Sequence, residues 1–113
     1  MKIELSWPPS VNTYWRTFKG RMIISKAGRD YRKAVQDAVL MQLANKHWEE
    51  KLKVTVEAFR PDNRRRDLDN LLKAILDALA HAGVYLDDSQ IVDLRIYWAE
   101  EKSGKVIVTL EKL

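Results

Sequence analysis

The sequence predicts an α+β protein, a small mixed sheet with two main helices packed on it. Three observations predict this. Two stretches, residues 25–46 and 67–82, repeat apolar residues at helical spacing. Several shorter stretches alternate apolar with polar residues and favour β-branched ones, as half-buried strands do. The chain has 113 residues, enough for one core and hardly for two, so helices and strands have to share it as a single domain over residues 1–113.

The elements follow in order. KIELSW, residues 2–7, reads as a strand stopped by Pro8 and Pro9. SVNTYWRTFKGR, residues 10–21, reads as a loop that is polar, basic and aromatic together. MIIS, residues 22–25, is a short strand. A helix is expected from Ser25 to about Lys46, with Tyr31, Ala34, Val35, Ala38, Val39 and Leu43 on one stripe. Ser25 suits its N-cap, and Gly28 weakens its first turn. LKVTVEAF, residues 52–59, is a strand, and RPDNRRR, residues 60–66, a loop. A second helix is expected over Asp67–Ala82, with Leu68, Leu71, Leu72, Ile75, Leu76 and Leu79 inward and Gly83 closing it. VYLDDSQ is a turn-rich connection. IVDLRIYWAE and KVIVTLEKL are the last two strands, expected to form a hairpin through Ser103-Gly104.

Charge narrows the function. Twenty Lys and Arg against sixteen Asp and Glu leave +4. The excess is uneven: residues 1–33 carry eight basic groups against two acidic ones, and residues 86–113 carry four against six. A basic half is the footprint of a polyanion binder, and it also fits a mildly basic protein with no such partner. There are no cysteines, which excludes disulfides and thiolate metal sites. The start MKIELSWPPS has no long apolar region, and no run approaches the roughly 18 residues that span a bilayer. The expectation is a cytoplasmic protein of bacterial or viral origin, with no membrane partner.

The densest chemistry lies in RRRDLDNLLK, residues 64–73. Arginines hold phosphates, and closely spaced carboxylates hold a divalent cation, so a phosphodiester substrate would use both. Asp67 is expected at the N-cap and Asp69 in the first turn, at the positive end of the helix. Lys73 shares a face with Asp69, and Asp77 follows one turn later. Read as residues alone, the same pattern fits a capping aspartate and a solvated ion pair. A second acidic pair, Asp87-Asp88, leaves the same helix. A helix of this length spans roughly 24 Å, and sequence alone does not bring the two pairs together. Asp62 and Asp93 are further acidic candidates. His47 and His81 are isolated and read as surface or boundary residues, so no His or Cys cluster suggests zinc.

RPDNRRRDLDNLLKAILDAL, followed by AGVYLDDSQIVD, resembles the RusA-type Holliday junction resolvases, small endonucleases found in prophages. The opening SWPPSVNTYWR resembles the family's N-terminal segment, so the likeness covers nearly the whole chain. The resemblance implies that Asp67, Asp69 and Asp88 are the essential carboxylates and metal ligands, with Asp87 able to assist. Lys73 matches the family's functional lysine. It also implies a compact homodimer using Mg²⁺, with Mn²⁺ able to substitute, that resolves four-way DNA junctions by paired symmetric nicks. Asn63 stands where some members carry a further arginine, so the basic run is shorter.

The expected reaction is metal-assisted phosphodiester hydrolysis, with Lys73 stabilising developing charge or orienting the nucleophile. Arg64, Arg65 and Arg66 are expected to hold flanking phosphates. Asn12, Tyr14, Trp15, Arg16, Phe18 and Arg21, with Asn70 beside the aspartates, are expected to touch DNA, the aromatics by stacking on distorted bases, while Trp7 and Tyr14 fit equally well as cover for the sheet. Two rival readings are a non-catalytic basic DNA-binding module and a nuclease with a flap, RNA or other branched target.

Overall fold

LKVTVEAF places every second side chain on one face, and a strand buried that way needs a hydrogen-bonded neighbour on both edges. In the computed structural model, which describes residues 1–113, this segment is the inner strand β4 (Leu52–Phe59). Leu52, Val54, Val56 and Ala58 are fully buried. The elements before it are β1 (Lys2–Ser6), α1 (Val11–Tyr14), β2 (Trp15–Phe18), β3 (Arg21–Ile24) and α2 (Lys26–Met41). Those after it are α3 (Asp69–His81), a 3-10 turn (Asp88–Gln90), β5 (Ile91–Trp98) and β6 (Lys105–Lys112).

The main sheet has the order β1-β6-β4-β5. β6 is antiparallel to both β1 and β4, and β5 is parallel to β4. A parallel neighbour requires a crossover, and α3 provides it. Ile3, Leu5, Val106, Val108 and Leu110 lie on the buried face with the β4 residues. Tyr31, Val35 and Val39 of α2 and Leu71, Ala74, Ile75, Ala78 and Leu79 of α3 complete one continuous core. Each buried aliphatic side chain of this kind contributes about 1.5–3 kcal/mol. No helix is long and apolar enough to cross a membrane.

The α+β class and both main helices match expectation, with three differences. First, the last two strands are not a hairpin. β4 lies between them, and residues 99–104 pass over its end, Ala99 N–H bonding Ala58 O and Gly104 N–H bonding Phe59 O. That connection is too long for a two-residue turn, and β4 takes both strands as partners.

Second, α2 ends at Met41 and not near Lys46. Leu43 takes a left-handed φ of 55°. Leu43 N–H then bonds Leu40 O, and Ala44 N–H bonds Val39 O. This is the usual glycine-terminated helix end built with a leucine, so no glycine marks it.

Third, residues 10–21 are not all loop. One helical turn, α1, leads into a β2–β3 hairpin that closes at Lys19-Gly20, both with positive φ. Ser25 does cap α2, accepting from Gly28 N–H at 3.0 Å. Gly83, φ 84°, closes α3 as expected, with Val84 N–H bonding Leu79 O.

Candidate active site

The loop from Arg60 to Leu68 delivers the basic run to the start of α3. Asp62 organises it. Its carboxylate accepts from Arg64 N–H at 2.9 Å and pairs with the Arg66 guanidinium at 2.8 Å. The Arg66 bond first, and the Arg64 N–H next, hold the Asp62 carboxyl down at about 2. Arg66 also lies over the Trp7 ring at 5.7 Å, so it braces the loop and is not offered outward like its neighbours. Arg64 and Arg65 are exposed. Asp62 is thereby spent on the loop. Asp93 stands on β5 opposite Lys53, among residues of the sheet and not of α3.

Asp67 does not cap α3. Leu68 occupies the cap position with helical dihedrals, and no side chain caps the helix. The first turn closes through backbone, with Asn70 N–H bonding Asp67 O at 3.2 Å. Asp69 opens the helix, as expected. The solvated ion pair does not form either: Lys73 and Asp69 are absent from the chain's ion pairs. Asp67, Asp69 and Lys73 are all exposed, and none of the three side chains is hydrogen-bonded within the chain.

The second acidic pair does return to the helix. Tyr85 is buried, and its hydroxyl donates to Leu76 O of α3 at 2.7 Å. Burial raises its pKa, and the Asp88, Asp77 and Asp87 carboxylates add to the rise. Asp87 caps the 3-10 turn, accepting from Ser89 N–H at 2.9 Å, while Gln90 Oε1 accepts from Asp87 N–H at 2.9 Å. The Ser89 bonds lower the pKa of Asp87, and the positive charge of Lys73 adds slightly to that lowering. Asp88 is half-buried, and its carboxylate has no hydrogen bond of its own.

Asp77 does not share that free face. Its carboxylate accepts from Tyr14 Oη and pairs with Arg32 at 2.8 Å, tying α1, α2 and α3 together. Tyr14 is fully buried, so it is a core residue and not a stacking surface. Trp15, half-buried, packs edge-on against it at 5.1 Å. Asn12, Arg16, Phe18, Lys19 and Arg21 are exposed on α1 and the hairpin, with Arg16 5.6 Å over the Phe18 ring. Asn70 is half-buried at the start of α3. Reading the sequence did not single out Arg32, whose role depends on Asp77 from a distant helix. A cavity lined by Ile24, Arg29, Arg32, Lys33, Gln36 and His81 lies apart from the aspartates, at the other end of α3.

The free carboxylates offer the hard oxygen ligands that Mg²⁺ takes, yet no three acidic or histidine side chains are gathered closely enough to enclose an ion. Mg²⁺ sites on phosphodiester enzymes commonly use one or two carboxylates and substrate oxygens, so a partly open set of ligands fits such an ion.

A small α+β fold that presents unpartnered carboxylates and a lysine, with exposed arginines just before them in the chain, has the groups that a phosphodiester-binding protein uses. Comparison with known proteins gives the particular family. The RusA family profile, described as Endodeoxyribonuclease RusA, matches residues 6–111. Crossover junction endodeoxyribonuclease RusA of Escherichia coli (strain K12) is 40% identical over 112 residues, 98% of this chain and 93% of that protein. The protein of the same name from Enterobacteria phage 82 is 41% identical over the same coverage, and that of phage HK97 is 46% identical over 92 residues, 81% of this chain and 77% of its own. The chain belongs to the RusA family of endodeoxyribonucleases.

Proposed function

We propose that this protein is a Mg²⁺-dependent endonuclease that resolves four-way DNA junctions, cutting two opposed strands as a homodimer. One observation carries the reading. Asp67, Asp69, Lys73 and Asp88 lie on or beside α3 with side chains that form no hydrogen bond or ion pair inside the chain, in a relative of proteins named crossover junction endodeoxyribonucleases. Charged side chains left unpaired beside arginines fit a ligand of mixed charge, such as a metal ion with a phosphate.

Asp67, Asp69 and Asp88 would hold Mg²⁺, or Mn²⁺ in its place, and the bound ion supplies charge neutralisation and an acidified water. Lys73 would stabilise charge on the phosphate under attack. Arg64 and Arg65 hold neighbouring phosphates, and the hairpin residues Arg16, Phe18 and Arg21 extend the contact along an arm of the junction. One chain offers one such site, and a two-fold dimer offers two, matching the symmetry of the substrate.

The test incubates the purified protein with an end-labelled four-way junction and with matched linear duplex, in Mg²⁺ and in EDTA. Paired symmetric nicks in the junction, only with Mg²⁺, are expected. Binding without cleavage would favour a non-catalytic module, and equal cutting of flaps or RNA a different nuclease.

A further inference from the structure

The carboxylate site leaves the basic first third of the chain unused. Residues 16–33 hold seven Lys and Arg against Asp30 alone. Arg16, Lys19 and Arg21 belong to the β2–β3 hairpin and its turn. Arg29, Arg32 and Lys33, with Gln36, follow at three- and four-residue spacing, so α2 turns them to one side while Tyr31, Val35 and Val39 face the core. Those four side chains line the cavity of about 280 Å³ at the His81 end of α3. Ile24 is its one hydrophobic lining residue, and no carboxylate lines it. Apolar walls mark ordinary small-molecule clefts, so a basic recess of this kind suits an anion instead.

The cations there are only partly used inside the chain. Arg32 Nε and Nη2 donate to Asp77 Oδ2 at 3.0 and 2.8 Å, which holds the guanidinium in place and leaves Nη1 without a partner. Arg29 Nη1 donates to Ile24 O at 3.1 Å, and Nη2 is left over. Lys33 pairs with Asp37 at 2.7 Å, an exposed pair one helical turn apart. Such pairs are weak, so Lys33 is open to a better anion. Gln36 and His81 add amide and ring N–H donors.

We propose that this cavity seats one backbone phosphate of a DNA arm, at a site separate from the carboxylates of α3. The inference rests on the nuclease reading above for DNA as its ligand, and gives that reading a second anchoring point. The ends of α3, Asp69 and His81, stand about 18 Å apart at 1.5 Å per residue, so the phosphate held here is not the one under attack. At about 3.4 Å of axial rise per nucleotide, the gap is about five nucleotides along an arm. Arg32 is already ordered by Asp77 and loses little freedom on binding, while Arg29 and Lys33 supply further charge. Ile24 ends the hairpin strand β3, so the cavity continues the basic track that Arg16, Lys19 and Arg21 begin. A contact of this kind fixes where an arm lies and carries no sequence information.

The test titrates a labelled four-way junction in EDTA, read by fluorescence anisotropy over a series of salt concentrations, with circular dichroism to check folding. Arg29→Gln/Lys33→Gln should weaken binding at least about 5-fold and lower the slope of log Kd against log salt by about 1, the loss of one phosphate contact. Lys2→Gln/Lys53→Gln removes equal charge from the sheet face away from the helices, since both residues alternate with buried ones, and should leave the slope unchanged. Gln36→Lys should tighten binding, a gain that misfolding cannot produce. Cavity variants no weaker than the sheet-face pair, or a Gln36→Lys protein that binds no more tightly, would overturn the proposal. Inorganic phosphate is titrated by calorimetry as well. If Arg29→Gln/Lys33→Gln abolishes phosphate uptake yet binds DNA like the parent, the cavity takes a free anion and the DNA assignment falls. Junction cleavage in Mg²⁺ by the unaltered protein is scored separately. Cutting, with DNA binding indifferent to the cavity, sinks the inference and keeps the resolvase reading. Cavity-dependent binding without cutting keeps the inference and sinks that reading.

Discussion

Asp87 uses its carboxylate on Ser89 N–H, whereas the Asp88 carboxylate beside it forms no hydrogen bond within the chain. Asp87→Asn keeps a capping oxygen and should leave cleavage within a few-fold of the parent, while Asp88→Asn, like Asp69→Asn, should lower it about 100-fold or more. Junction-cleavage rates for the three variants check this, and equal losses at 87 and 88 would merge their roles. The asymmetry is not legible in Leu-Asp-Asp, because it depends on Gln90. That side chain donates to Trp48 O and Glu50 O, which lie some forty positions away. The residue types of the site were legible; which carboxylate was free was not. Tyr14 shows the same limit, since its ring reads as a stacking surface and sits in the core. Burial first, then its bond to Asp77, pushes the Tyr14 hydroxyl up to about 12. A raised folded-state pKa favours the neutral phenol, so this stabilisation is whole below about 10 and fades as pH rises through about 12. Tyr14→Phe should therefore flatten the alkaline arm of the stability–pH curve over that window, as read by denaturant titration.

Gly28 reads as a weak point in the first turn of α2, and packing reverses that judgement. A Cβ there would lie 2.5 Å from Tyr14 O and 2.6 Å from Ile24 Cγ1. Ser25 Oγ, the cap of this helix, donates to the same carbonyl at 2.9 Å, so α2 starts hard against the end of α1. Gly28→Ala gains up to about 1 kcal/mol of helix propensity and meets an overpacking cost of about 1–3 kcal/mol. The expected result is a lower midpoint in thermal or urea unfolding; a stabilised variant would show that α2 can shift away from α1. Elements with strong periodicity were legible in the sequence, as β4, α2 and α3 show. Pairing was harder to read. IVDLRIYW and KVIVTLEK are adjacent strands in the chain and are separated in space by β4, a choice made by the central strand's need for two partners.

At the scale of the whole molecule, the uneven charge and the single site per chain make one prediction about how cuts are paired. If each copy of a dimer cuts one strand, mixing the parent with excess Asp69→Asn protein and allowing subunits to exchange yields dimers with one working site. Asp69 is exposed at the start of α3 and its side chain forms no internal bond, so its replacement should leave folding intact. Such dimers should still bind junctions, because Arg64, Arg65 and the hairpin are unchanged and one negative charge near phosphate is gone. They should nick one strand and stop. Nicked junction should then accumulate as the inactive fraction rises, while fully resolved duplex falls in proportion to the share of parent dimers. Gel analysis under native and denaturing conditions separates the two products. Resolved duplex that falls only in step with the amount of parent protein, with no build-up of nicked junction, would mean that a copy acts alone. The two incisions would then owe their symmetry to the DNA and not to the protein.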